Sequence, residues 1–345
     1  MIHTDRRPRV AILWQGLSGY SHAAFAALRD LGVDVVVFHQ ALDTDAPFEG
    51  GPITAGLRTF AWSGAPDAAR LDAELTAFDP DALLVSSWHI GAYRRVARAR
   101  RGQTLRVLCM DNQWWATPKQ ILGVGTSRLL IRPVYDAAFV PSERSADFAR
   151  RLGFTDDRII RGIYSCDHPR FDAVAEARGS VAPDRVFTFV GRLVAEKGID
   201  VLAEGYRCYR QTVSEPWPLL VSGAGPEGRL LAGLPGVEMT GFVQPDSVPA
   251  LLARSGCLVL PSRFEPWAVV IHEAAAAGLP AFVTVSPTRL WRTSFTPVMR
   301  YPTSPTPSPL PGTGSGEMTP ISRSSWVALV DIMTIFSRGL RLPSM

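Results

Sequence analysis

The residues best equipped for chemistry fall in short stretches of the second half of the chain. One is Phe189-Val-Gly-Arg-Leu-Val-Ala-Glu-Lys-Gly198. A strand-like run ends at Gly191 and a helix starts near Gly198, so Arg192 and Lys197 lie on the connecting loop. Two fixed cations on one loop suit an anion that gains charge as a bond breaks, a diphosphate leaving group in particular. The bland alternative is two surface cations near a helix start, where the helix dipole disfavours them. A second stretch carries Glu265 and, eight positions on, Glu273, in Arg-Phe-Glu-Pro-Trp-Ala-Val-Val-Ile-His-Glu-Ala-Ala-Ala-Ala-Gly. Glu265 precedes a helix whose first turn suits Pro266. Glu273 falls inside that helix, which is otherwise apolar and of core type. A carboxylate there needs a partner, because an unpaired buried charge is costly. A ribose diol would supply one, and so would a nearby cation. Free N–H groups at the helix start suit phosphate.

Two further patterns compete for attention. Val221-Ser-Gly-Ala-Gly-Pro-Glu-Gly228 matches the dinucleotide fingerprint, and Glu238 follows it. It sits in the middle of its series of elements rather than at the first strand, and Pro226 is an ordinary first-turn residue. A tight turn on Gly223 and Gly225 near a nucleotide is the preferred reading; a nicotinamide or flavin site is the other. Asp43-Thr-Asp45 is an Asp-x-Asp of metal-binding type. It lies in a loop rich in Pro and Gly, so a turn is preferred and no metal is expected.

These residues must be positioned by alternating strands and helices. Val10 to Trp14 is a strand that ends in a turn spanning Gly16 and Gly19. A helix over Ser21–Leu31 and a strand over Val33–Phe38 complete a β-α-β unit. Strands are expected at Ala82–Ser86, Leu105–Met110 and Ala137–Val140, with helices at Asp67–Ala77, Gly91–Arg101 and Ser142–Arg151. The pattern loosens around Arg161–Phe171. A second series follows, with strands at Val186–Val190, Leu219–Ser222, Val237–Thr240, Cys257–Leu260 and Ala281–Thr284. Its helices are expected at Ile199–Gln211, Glu227–Ala232, Ser247–Ala253 and Trp267–Ala277. Strands alternating with helices imply parallel sheets, whose ligands sit outside the carboxyl ends of the strands. The domain limits read as 1–165 and 166–285. A Pro/Ser/Thr-rich segment follows over 286–320, and a terminal helix over 321–345, best over Ser324–Phe336.

Composition narrows the classes. The net charge of +4 has no dense Lys/Arg stripe behind it, so a nucleic-acid binder is not expected. Arg94, Arg95, Arg98, Arg100 and Arg101 read as one solvated helix face, with contact to phosphate or an acidic membrane surface left open. The four cysteines form no C-x-x-C pair, so a reducing cytoplasm is the default, with a peripheral place at the inner membrane face also open. No run of about 18 apolar residues occurs that would span a membrane.

The order Gly191-Arg-Leu-x-x-Glu-Lys-Gly198, Gly223-x-Gly-Pro-Glu227, Gly241-Phe, Pro261-Ser-Arg-Phe-Glu265 with Glu273, and Ala277-Gly-x-Pro280 resembles family 4 of the retaining glycosyltransferases. Gly162-Ile with Asp167 and Phe171 is similar to that family's interdomain segment. The resemblance implies the GT-B fold, an α/β architecture of two facing Rossmann-like domains with the active site between them. It implies a nucleotide-sugar donor, no cofactor, and transfer without a metal to a glycan, lipid-linked or small-molecule acceptor. Configuration would be retained by a front-face path in which the leaving phosphate takes the acceptor's proton.

By the same resemblance Arg192 and Lys197 hold the diphosphate, with Gly191 on their loop, while Glu273 binds ribose and Glu265 contacts the donor sugar. The Gly16–Gly19 turn approaches the diphosphate. Relatives carry a His where this chain has Asp111, so Asp111 and Asn112 become candidate contacts, as does His89 after the preceding strand. The family register vanishes after about Val285, as if Ser286–Glu317 were read out of frame or the end were degenerate. A catalytically inactive nucleotide-binding or scaffold protein is therefore the competing expectation.

Overall fold

The computed structural model describes residues 6–41, 54–179, 184–265, 267–284 and 295–297. Two compact units divide between Ser165 and Cys166. In the first unit the strands are β1 (Arg9–Trp14), β2 (Asp34–Gln40), β3 (Arg58–Trp62), β4 (Ala82–Val85), β5 (Leu105–Cys109), β6 (Ala137–Val140) and β7 (Ile159–Arg161). They form one sheet in the order β3-β2-β1-β4-β5-β6-β7. Every pairing in it is parallel. Its helices are α1 (Gly19–Asp30), α2 (Ala68–Phe78), α3 (Gly91–Ala99), α4 (Pro118–Leu130) and α5 (Glu143–Arg151).

Strands β4 and β6 are apolar throughout because both faces of the sheet are covered. Side chains of β1 alternate between two cores: Ala11 and Leu13 enter one, and Val10, Ile12 and Trp14 the other. Helix starts follow local chemistry. Ser18 and Ser21 form a capping box at α1, Asp67 caps α2 and Ser142 caps α5.

The second unit has β8 (Phe187–Val190), β9 (Leu219–Ser222), β10 (Val237–Gly241), β11 (Cys257–Leu260), β12 (Ala281–Thr284) and β13 (Phe295–Pro297). Their order is β10-β9-β8-β11-β12-β13. The pairings are parallel as far as β12, and β13 joins β12 antiparallel. Its helices are α6 (His168–Arg178), α7 (Ile199–Thr212), α8 (Val248–Ala253) and α9 (Val269–Ala276).

Several expectations need correction. Helix α1 begins at Gly19 rather than Ser21, because the Ser18 cap satisfies its first turn. The stretch expected to be loose around Arg161–Phe171 holds β7 and the start of α6. A 3-10 turn over Pro226–Leu230 replaces the helix expected at Glu227–Ala232. Arg100 is not on a solvated face: it is buried, pairs with Asp72 and donates to Thr76 Oγ1 at 3.0 Å. Phe295–Pro297 pairs as a strand within the Pro/Ser/Thr-rich segment. The remainder of that segment, the helix over Ser324–Phe336, Asp43–Asp45 and Pro266 lie outside the described residues.

Each sheet reverses its strand order once, between β1 and β4 and between β8 and β11. Such switch points open a crevice at the carboxyl ends of the strands. In the second unit the loop after β8 is laced to both neighbours. Gly191 N–H donates to Ser222 O at 3.0 Å and Leu193 N–H to Ala224 O at 2.8 Å. Gly223, at φ 143°, passes so close that a Cβ would lie 1.8 Å from Gly191 O. Gly198, at φ 67°, would place a Cβ 2.1 Å from Pro261 O. Only glycine tolerates both the conformation and the approach. Gly223→Ala and Gly198→Ala should each cost about 2 kcal/mol or more and lower the calorimetric midpoint by several degrees. Gly16→Ala, where a Cβ meets nothing within 4 Å, should leave it unchanged. Equal midpoints for all three variants would contradict this packing.

Candidate functional site

The second unit gathers its chemistry on the loops after β8 and β11. Lys197 ends a short 3-10 turn over Ala195–Lys197. Its Nζ lies 2.5 Å from Glu265 Oε2, which also accepts from Ser262 Oγ at 3.1 Å. Lys197 and Glu265 are mostly covered, at 17% and 21% side-chain exposure, whereas Arg192 is 64% exposed and 3.7 Å from Glu196. The two cations assigned to one anion thus differ: Lys197 is held by a carboxylate, while Arg192 projects into solvent.

Arg263 fixes this arrangement. It grips both oxygens of Asp200 at 2.6 and 2.5 Å and donates to Ala195 O at 3.1 Å. Its backbone N–H donates to Glu196 O at 2.8 Å. The Arg263 guanidinium holds the Asp200 carboxyl below the usual carboxylate range. Neither residue was singled out from the sequence, although Arg263 stands inside the Pro261–Glu265 motif.

Glu273 lies in α9, half-buried, and burial pushes its carboxyl from the ordinary 4.5 up to about 7. No cation or hydrogen-bond donor engages it among the described residues, so the cation partner weighed for it is absent there. Beside it, the Cys166 thiol is pushed up to about 12, first by burial and then by the Glu273 charge. His272 is lowered by burial and by His168, and its ring meets Trp267 edge-on at 4.9 Å. Helix α9 has no side-chain cap at Ala268; in its first turn Val269 N–H donates to Trp267 O at 3.1 Å and Ile271 N–H to Ala268 O at 3.0 Å.

Gly225, like Gly223, is committed to close packing: a Cβ there would lie 2.4 Å from Leu193 O. A 3-10 turn follows it. The dinucleotide fingerprint therefore lacks the α-helix N-terminus on which a pyrophosphate would rest.

In the first unit the turn after β1 and the loop after β4 are tied together. Ser87 Oγ donates to Gln15 Oε1 at 2.6 Å, and Gln15 N–H to Ser86 Oγ at 3.1 Å. Gly16 is exposed and Gly19 opens α1. Asp111 follows β5 and accepts the Tyr164 hydroxyl at 3.2 Å on Oδ2, while its carbonyl accepts Ser145 Oγ at 3.1 Å. Tyr20, at the start of α1, meets Tyr164 edge-on at 5.2 Å. Burial first, then the charges of Tyr20 and Asp111, raise the Tyr164 phenol, so it stays a proton donor. Asn112 and His89 are exposed and make no hydrogen bond among the described residues. The structure thus joins Asp111 to Tyr20 and Tyr164, which sequence reasoning missed; the signal was the Gly162-Ile segment that leads directly into Tyr164.

No helix among the described residues is long and apolar enough to cross a membrane. No group of three or more His, Cys, Asp or Glu residues among them is placed to hold a metal ion.

The Glu273 carboxyl makes stability depend on pH. Its folded value of about 7 exceeds its ordinary 4.5, so the unfolded state releases the proton first as pH rises. Stability of the ligand-free second unit should be full below pH 4.5 and fall, by at most about 3 kcal/mol, as pH rises to about 7. Glu273→Gln should flatten that slope in denaturant titrations. A Gln variant with the parent's slope would show that the carboxyl is not enclosed.

Comparison with known proteins agrees with this geometry. A family described as "Glycosyl transferase 4-like domain" matches residues 15–161, and "Glycosyl transferases group 1" matches residues 184–290. An alpha-D-kanosaminyltransferase of Streptomyces kanamyceticus is 28% identical over 152 residues, 40% of this chain and 39% of that one. A GDP-mannose-dependent alpha-mannosyltransferase of Corynebacterium glutamicum is 29% identical over 147 residues, 41% of this chain and 34% of that one. The chain thus spans well under half the length of these two relatives. Among solved structures, the Anabaena HepE protein, in complex with UDP and glucose, superposes with a TM-score of 0.55 at 17% identity, over 79% of this chain and 80% of that one.

Proposed function

We propose that the chain, whose first unit matches a glycosyl transferase 4-like domain and whose second matches the glycosyl transferases group 1, transfers a hexose from a nucleotide sugar to an acceptor hydroxyl. The observation that carries this reading is Glu273, a half-buried carboxyl on α9 with no protein partner among the described residues. A ribose diol would supply two hydroxyl donors to it and offset the cost of its burial. The names of the relatives support donors of this class, since one is described as GDP-mannose-dependent and another was solved with UDP and glucose.

In this reading Arg192 and Lys197 face the donor diphosphate. Lys197 leaves Glu265 for the phosphate, which frees the Glu265 carboxylate to accept hydroxyls of the donor sugar. The acceptor oxygen attacks the anomeric carbon on the face from which the diphosphate departs. The carbon–oxygen bond to the diphosphate breaks, and the departing phosphate oxygen takes the acceptor's proton. The products are a glycosylated acceptor with retained configuration and a nucleoside diphosphate. No cofactor, metal or protein nucleophile enters this scheme. In the first unit, Asp111, held by Tyr164, is the contact for a sugar hydroxyl. Gly16, Gly19, Asn112 and His89 are the first unit's further candidates for contact with donor or acceptor.

Glu273→Ala should abolish turnover of nucleotide sugar while leaving a folded protein, and Lys197→Ala should lower kcat by about 100-fold or more. A panel of UDP-, GDP- and ADP-sugars should raise the thermal midpoint for one base above the others, by about 2.7 kcal/mol of stabilisation at a hundredfold excess over Kd. Unchanged turnover in Glu273→Ala would remove the proposal. Nucleotide protection with no transfer and no donor hydrolysis by the parent would favour the inactive nucleotide-binding reading.

A further inference from the structure

Helix α4 presents an apolar face outward. Its inner side carries Val124 and Ser127, with Ile131 just beyond, packed toward the core of the first unit. Its outer side carries Ile121, Leu122 and Leu129 at 56%, 68% and 72% exposure. Trp115, before the helix, and Leu130, at its end, are each 44% exposed. Residues 121, 122, 125 and 129 lie along one stripe of a helix, so these side chains are neighbours rather than scattered. A helix apolar on two sides is one that is covered on two sides, and the described residues cover only one.

The surroundings of that stripe are cationic. Between Asp81 and Asp136 the chain carries nine Lys and Arg residues and one acid, Asp111. Four of the neighbouring elements' acids are already engaged: Asp81 with Arg6, Asp136 with Arg106, Asp72 with Arg100, and Asp111 with Tyr164. Lys119 and Arg128 stand exposed on α4 itself, and Arg95, Arg98 and Arg101 on or just after α3. Arg98 Nη2 donates to Leu129 O at 2.9 Å, which seats the basic side of α3 against the exposed end of α4. None of these five cations has a carboxylate partner among the described residues.

We propose that the outer face of α4, with the arginines of α3, docks on an anionic lipid bilayer. Aliphatic side chains enter the boundary between headgroups and acyl chains while cations on the rim meet lipid phosphates. A second copy of this chain fits poorly, since it would set cations against cations. A nucleic acid has no use for an aliphatic stripe. The loop that carries Asp111 runs through Trp114 and Trp115 directly into α4, so docking would bring that loop to the lipid surface. Only this last step rests on the transfer reading, and it makes the acceptor a lipid-linked one.

Sedimentation of the full chain with vesicles tests the surface without any donor or turnover. Vesicles of phosphatidylcholine mixed with an equal part of phosphatidylglycerol should bind at least about tenfold more tightly than phosphatidylcholine alone, and salt should weaken the binding. A Leu122→Ser, Leu129→Ser variant and an Arg95→Gln, Arg128→Gln variant should each lose about tenfold on the mixed vesicles, with thermal midpoints and nucleotide protection like the parent's. Equal binding to neutral and anionic vesicles, binding unaffected by both variants, or no binding would overturn the proposal. So would a parent dimer in sedimentation velocity that the leucine variant abolishes, since that result assigns the face to a second copy. None of these outcomes bears on transfer chemistry, and inactivity of the parent enzyme would leave the lipid surface standing.

Discussion

The second unit depends on how closely three backbone loops can approach one another. The loop after β8 sits between those after β9 and β11, with Gly223 against Gly191 and Gly198 against Pro261. These contacts leave no room for a Cβ, so the loop has essentially one path. Arg192, Lys197 and, through Arg263, Glu265 take their positions from that path. The side chains proposed to meet a ligand are thus held by main chain, which is stiffer than any side-chain contact.

Charge is distributed over that frame in an unbalanced way. Lys197 and Glu265 neutralise each other, Arg263 and Asp200 do the same, and Glu273 is left half-buried without a partner among the described residues. A covered carboxyl of this kind weakens the fold once ionised. The first unit makes the opposite choice at Asp111, whose carboxylate is held by Tyr164 and whose carbonyl is held by Ser145.

Central strands were legible in the sequence for a simple reason. A parallel strand covered on both faces reads as an unbroken apolar run, as in Ala82–Val85, Ala137–Val140 and Leu219–Ser222, all fully buried. Edge strand β3 is half-exposed, and its Arg58-Thr-Phe-Ala-Trp62 has no such run. Helix α4 escaped notice because it is apolar on both sides and carries Gly123 and Gly125, which mask any period. Helix α6 starts with Pro169 in its first turn and buries only Phe171. The 3-10 turn at Pro226–Leu230 follows from Gly225 having to pass Leu193, a contact that no local pattern announces.

The sequence by itself determined the class of fold and the order of the second unit's candidate residues, because parallel strands imprint their burial on the chain and loop motifs keep their spacing. It also marked Glu273 as a carboxylate in need of a partner, since its helix is apolar on every side. Tertiary structure decided who meets whom. It paired Lys197 with Glu265 across 68 positions and Tyr164 with Asp111 across 53, buried Arg100 against Asp72, and turned the aliphatic side of α4 outward. Partners that distant are brought together only when the strands between them are stacked into a sheet, and nothing in the local run of residues records that stacking.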